Sequence, residues 1–93
     1  MSHIAIRHPH SLGYQQARDS AQSVAEKLNA EYGLDYRWEG DSLHFKRTGI
    51  DGHIVVEEHQ VLVNVKLGML LRPMKPRLEE EIHRFLDQRF GQA

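Results

Sequence analysis

Leu34-Asp35-Tyr36-Arg37-Trp38-Glu39-Gly40-Asp41-Ser42-Leu43-His44-Phe45-Lys46 decides the fold. Leu34, Tyr36 and Trp38 alternate with Asp35, Arg37 and Glu39, and that spacing puts the two sets on opposite faces of a strand. Gly40-Asp41 is a two-residue hairpin signal. On the return, Leu43 and Phe45 continue the apolar face while His44 and Lys46 keep the polar one. Strands of this kind belong in an antiparallel sheet that is covered on one side and wet on the other.

Downstream, Gly49 interrupts the pattern and Ile50, Ile54 and Val56 resume it, with Gly52 expected as a bulge or a point of close approach. Glu58-His59 turns the chain into Val61, Val63, Val65 and Leu67, which alternate with Leu62, Asn64 and Lys66 in the strongest strand. Upstream, Ile4 and Ile6 against Ala5 and Arg7 predict a short strand over 3–8. His8-Pro9-His10 stops it, because proline has no N–H for a ladder and restricts the residue before it.

Ala17, Ala21, Val24, Ala25, Leu28 and Tyr32 recur at helical spacing, with Arg18, Asp19, Gln22, Glu26 and Lys27 on the opposite face. Gly13 is the expected N-cap, with Gln16 reaching back and Leu12 and Ala17 forming a weak hydrophobic staple. Gly33 stands where a left-handed C-terminal cap is expected. A second amphipathic helix carries Leu78, Ile82, Phe85, Leu86 and Phe90 on one side. Glu79, Glu80 and Glu81 are expected in its first turn, where they complement the helix dipole. The expected fold class is α+β: an antiparallel sheet of about five strands, order β-α-β-β-β-β-α, with two helices on one face. At the level of folds alone it looks like a miniature helix-grip arrangement.

The chain's 93 residues suit a single domain, 1–93, with no room for a second core. Hydrophobic residues make up 40% and charged residues 27%, too apolar a balance for disorder. The absence of cysteine removes disulfides, thiolate zinc sites and cysteine nucleophiles together, and favours a reducing compartment such as the bacterial cytoplasm. Met1-Ser2-His3-Ile4-Ala5-Ile6-Arg7 lacks the apolar run of a signal peptide. No stretch approaches the ~20 apolar residues of a membrane span. A net charge of −1 with scattered Lys and Arg argues against a nucleic-acid partner. The chain is expected as a monomer or a weak homodimer, the latter through Val55 and Leu62 on the polar sheet face.

Seven histidines raise the question of metal or acid–base chemistry. His8-x-His10 holds a metal only with a third ligand from elsewhere, and His3, His44 and His53 are expected on the open sheet face. No carboxylate stands at a ligand spacing, so solvated sheet and loop histidines are the preferred reading. Ser11, Ser20, Ser23, Ser42 and Thr48 lack a nucleophile-elbow or phosphate-loop context. Asp35, Glu39, Asp41 and Asp51 fall in turns or on the wet face and read as solubilising charges. Tyr36, Trp38 and Phe45 alternate with charges and are expected in the core rather than as a stacking platform. No catalytic residue, metal ligand or cofactor is assigned.

Gly68-Met69-Leu70-Leu71-Arg72-Pro73-Met74-Lys75-Pro76 is hardest to explain as packing. Extending the second helix backward lines Leu71 and Met74 up with Leu78 and Ile82, whereas Met69 and Leu70 fall outside that stripe. Adaptable methionine and leucine beside Arg72, Lys75 and Arg77 suit an apolar surface that carries acidic groups, or a hydrophobic partner. Closure of the core's end and a dimer contact are the plainer alternatives. The candidate binding residues are Met69, Leu70, Leu71, Arg72, Met74 and Lys75.

Three stretches carry a family resemblance: Ile6-Arg7-His8-Pro9-His10-Ser11-Leu12, Tyr32-Gly33-Leu34-Asp35-Tyr36-Arg37-Trp38-Glu39-Gly40-Asp41 and Leu67-Gly68-Met69-Leu70-Leu71-Arg72-Pro73-Met74-Lys75. They resemble the polyhydroxyalkanoic acid system proteins, also called granule-region proteins, through nearly the whole chain. The resemblance implies a bacterial protein whose gene lies among those for making or coating polyester storage granules. It implies no established enzymatic activity, so no catalytic residue is carried over. Gly13-Tyr14 departs from the family's common serine–proline helix start and leaves a weaker cap.

The expected function is a non-catalytic accessory protein of polyhydroxyalkanoate storage. It is expected in the cytoplasm at storage granules, binding the granule surface or a granule-coat protein through residues 69–75. One alternative is a small carrier that holds an acyl ligand between sheet and second helix, although pockets for such ligands run to about 300 Å³ or more. A less favoured alternative is a metal or acid–base site built from His8, His10, His44 or His53.

Overall fold

Ile4 and Ile6 point inward from β1 (Ser2–Pro9), the first element of the computed structural model, which describes residues 2–91. Helix α1 (Tyr14–Tyr32) follows, then β2 (Asp35–Glu39), β3 (Ser42–Arg47), β4 (Ile50–Val56) and β5 (Gln60–Leu67). A short 3-10 helix (Met69–Met74) leads into α2 (Lys75–Phe90). The order is the one read from the alternation, and all four strand pairings are antiparallel.

The sheet runs β1-β5-β4-β3-β2, so the first two strands in sequence form its opposite edges. Three successive hairpins build the β2-to-β5 meander, while α1 carries the chain from one edge to the other across a single face. Pro9 is tolerated in β1 because an edge strand can spare an N–H. Gly40-Asp41 makes the two-residue turn between Glu39 and Ser42. Thr48-Gly49 makes another between Arg47 and Ile50.

Ile4, Ile6, Leu43, Phe45, Ile54, Val61, Val63 and Val65 form the buried sheet face. Against it lie Ala17, Ala21, Val24, Ala25 and Leu28 of α1 and Leu78, Ile82, Phe85, Leu86 and Phe90 of α2. Both helices therefore cover the same face. The other face presents cross-strand rows, the most regular being Asp35–Lys46–Asp51–Lys66, in which charge alternates strand by strand. Opposite charges so placed are mildly favourable, so this row is already electrically balanced.

Several local expectations are corrected. Gly13 caps α1 only by offering its carbonyl to the Ala17 N–H at 3.0 Å; no side chain closes a capping box. Gly52, by contrast, takes one of its two expected forms, a close approach, since the β3–β4 register runs unbroken through Phe45 and Gly52. Arg18 and Gln22 do not face open water. The Arg18 guanidinium lies 3.9 Å from the centre of the Trp38 ring and donates to the Gly40 carbonyl at 2.9 Å. The Trp38 indole N–H donates to Gln22 Oε1 at 2.8 Å, and Gln22 Nε2 donates to the Tyr36 hydroxyl at 3.2 Å. Tyr36 and Trp38 are accordingly half-buried along the flank of α1 rather than in the core. Finally, α2 begins at Lys75, so Glu79, Glu80 and Glu81 stand beyond the first turn, and the charges in that turn are Lys75 and Arg77.

Candidate functional site

Pro73 and Pro76 decide the geometry of the segment that follows β5. A proline inside an α-helix lacks the N–H for its bond and clashes with the preceding turn. Residues 69–74 therefore wind as a 3-10 helix, and α2 starts afresh with Pro76 in its first turn. In a 3-10 helix, residues three apart eclipse one another. Leu71 and Met74 share the inward side and are half-buried; Met69 with Arg72 and Leu70 with Pro73 share the two outward sides.

Leu71 anchors the segment. Its side chain lies over Gly49, so close that a Cβ on that glycine would stand 2.8 Å from Leu71 Cδ1. The Gly68 N–H donates to the Gly49 carbonyl at 2.8 Å, and the Leu71 N–H donates to the Gly68 carbonyl at 3.0 Å. The β3–β4 turn thus holds the base of the 3-10 helix and leaves its tip outside the core. Leu70 is 93% exposed and Met69 76% exposed. Among the described residues, Tyr14 is the other large apolar side chain left exposed, and its hydroxyl is already engaged with the Asp41 carboxylate.

The tip sits in a basic stretch. Residues 66–78 contain Lys66, Arg72, Lys75 and Arg77 and no carboxylate. None of these four cations forms an ion pair among the described residues; the pairs present are His8–Asp87, Arg37–Glu39 and Arg84–Glu81. A shallow groove of about 350 Å³ lies elsewhere, on the helix-free sheet face beside Arg37, His44 and Lys46. A second concavity, of about 210 Å³, lies on that same face among His3, His53 and Asn64. The acyl-carrier alternative asks for space between sheet and α2, where Leu78, Ile82, Phe85, Leu86 and Phe90 are all buried against the core.

The histidines divide by position. On the open face, His44 and His53 are cross-strand partners with ring centres 5.6 Å apart, and His3 meets Asn64 Oδ1 at 3.3 Å. Among the described residues, no three histidine, aspartate or glutamate side chains gather to hold a metal ion. His8 and His10 correct the sequence reading, for they are neither a ligand pair nor solvated. His8 Nε2 contacts the Gly91 carbonyl at 2.8 Å. His10 is only 4% exposed, with Nε2 at 2.9 Å from the Glu57 carbonyl and Nδ1 accepting the Leu12 N–H at 3.2 Å. Both rings lie against Phe90. Sequence reasoning missed this clamp because its partners come from distant turns. Near the basic stretch, burial and then the Glu81 carboxylate raise the pKa of the Tyr32 phenol above its ordinary value. No helix among the described residues is long and apolar enough to cross a membrane.

Residues 4–90 match the sequence profile of the family described as "Putative polyhydroxyalkanoic acid system protein". Comparison with the curated proteins gave no match. Among solved structures, the chain is similar to the NMR structure of PA4090 from Pseudomonas aeruginosa, with a TM-score of 0.66 over 100% of this chain and 88% of that one. At 4% identity the likeness is one of fold alone.

Proposed function

Because the chain belongs to the polyhydroxyalkanoic acid system protein family, we propose that it is a non-catalytic accessory protein of polyhydroxyalkanoate storage that meets the granule surface through Met69 and Leu70. Leu71 and Met74 form the seated base of that contact, and Arg72 and Lys75 form its rim. The observation that carries the reading is the 93% exposure of Leu70 on a segment otherwise fastened to the β3–β4 turn. A fastened base keeps the tip presented, so little ordering entropy remains to be lost on contact.

Full burial of a leucine side chain is worth about 1.5–3 kcal/mol, or roughly ten- to a hundredfold in affinity. Co-sedimentation with purified polymer granules at high salt, which screens the cations and isolates the apolar contribution, tests this directly. The wild-type chain is expected to pellet. Leu70→Asp is expected to lower the bound fraction at least about tenfold while melting within about 2 °C of the parent, because the side chain touches little of the core. Equal pelleting of the two proteins, or none of the wild type, would sink the proposal.

A further inference from the structure

Lys75 and Arg77 occupy the first turn of α2, the positive end of its dipole, where cations are disfavoured. Glutamates that would suit that end stand one turn later. Two cations placed toward that end oppose the dipole by about 0.3–1 kcal/mol each, and they stand next to an exposed leucine and methionine. We infer that the surface met by this tip is an anionic lipid interface, with Met69 and Leu70 entering the acyl boundary and Arg72, Lys75 and Arg77 lying at the headgroups. This rests on the reading that residues 69–75 are the contact.

Shape favours lipid over a protein partner. A specific protein interface buries about 800 Å² on each side around an apolar core, far more than two side chains supply. The tip is convex, so a protein partner would need a matching pocket, whereas a fluid interface closes around any wedge. Charge points the same way: residues 67–78 carry Arg72, Lys75 and Arg77 with no carboxylate among them, none of these three forms an ion pair among the described residues, and the dipole of α2 adds its positive end to the same field. Interfacial attachment of this kind combines apolar insertion with attraction to anionic headgroups.

Flotation with vesicles of phosphatidylglycerol mixed with phosphatidylcholine, with vesicles of phosphatidylcholine alone, and with bare polyhydroxyalkanoate particles decides the matter. The mixed vesicles are expected to bind more tightly than phosphatidylcholine at low salt, and high salt should weaken that binding to the phosphatidylcholine level, where the apolar contribution alone remains. Each cation near an anionic surface is worth about fivefold, so the triple variant Arg72→Gln, Lys75→Gln, Arg77→Gln should bind roughly a hundredfold more weakly. The same variant should melt no lower than the parent, since Lys75 and Arg77 oppose the dipole. Binding to phosphatidylcholine as tight as to the mixture, or a triple variant that binds like the parent, overturns the inference. Polymer particles bound with no vesicle binding overturns it too, yet leaves the granule contact standing. Binding to neither overturns both.

Discussion

Gly52→Ala is expected to lower the melting temperature by about 10–20 °C, corresponding to about 3 kcal/mol at the upper end of overpacking costs in a domain this size. A Cβ at position 52 would stand 2.6 Å from Phe45 Cε2, 2.9 Å from Phe45 Cζ and 2.8 Å from the Asn64 carbonyl oxygen. The Phe45 ring is buried and has nowhere to swing. The Asn64 oxygen belongs to the backbone of β5, which is fixed between β1 and β4 by ladders on both sides. The glycine is present because the ring of its cross-strand partner lies over it and fills the space a side chain would take. Shrinking that partner should therefore rescue the substitution in part. Gly52→Ala combined with Phe45→Leu is expected to melt higher than the sum of the two single losses allows, by about 1 kcal/mol or more. Thermal melts of the four proteins in the cycle make the check, and a Gly52→Ala variant that melts like the parent would show that β4 and Phe45 are less tightly apposed.

The same position shows where reading the sequence stops. Alternation along Leu34–Lys46 and along the following strands decides which residues face inward, because a period of two leaves each side chain one choice of face. Turns of two residues at Gly40-Asp41 and Thr48-Gly49 then fix the registers. What alternation cannot say is whether a glycine in a strand marks an extra residue or a neighbour's intrusion. That depends on Phe45, which is local in space but set by the hairpin register. Arg18 and Gln22 failed for a related reason. A helical wheel places them off the apolar stripe, but only the crossover of α1 to the far edge of the sheet brings Trp38 alongside.

Residues 69–74 were legible in their facing and not in their form. Leu71 and Met74 are three apart, as are Met69 and Arg72, and that spacing shares a side in an α-helix and a 3-10 helix alike. The inward and outward sets therefore come out the same whichever helix is assumed. The helix start hinges on Pro73 and Pro76, and beginning the second helix only after Pro76 put Glu79, Glu80 and Glu81 in a first turn that Lys75 and Arg77 occupy. That displacement concealed the charge placed against the dipole, which is the stronger argument for an anionic partner.

His10→Ala should cost about 2–4 kcal/mol, lowering the melting temperature by roughly 10–20 °C. Three losses combine. The Leu12 N–H loses its acceptor, the Glu57 carbonyl loses its side-chain donor, and the space beside the Phe90 ring empties. The partners fix the tautomer: Nδ1 accepts from Leu12, so the proton sits on Nε2 and is donated to Glu57. With its own backbone N–H on the His59 carbonyl at 2.9 Å, His10 ties the β1–α1 connection to the β4–β5 turn twice over. Asparagine places an oxygen near the position of Nδ1, and glutamine reaches to that of Nε2. His10→Asn and His10→Gln should each restore one bond and recover about 1 kcal/mol relative to alanine. A histidine serving as a metal ligand would behave otherwise: a chelator would destabilise the parent, and neither amide would help. Melting curves of the three variants, with and without chelator, separate the two roles. Recovery by both amides, with no response to chelator, is the result expected of a clamp that closes the end of the sheet opposite the exposed tip.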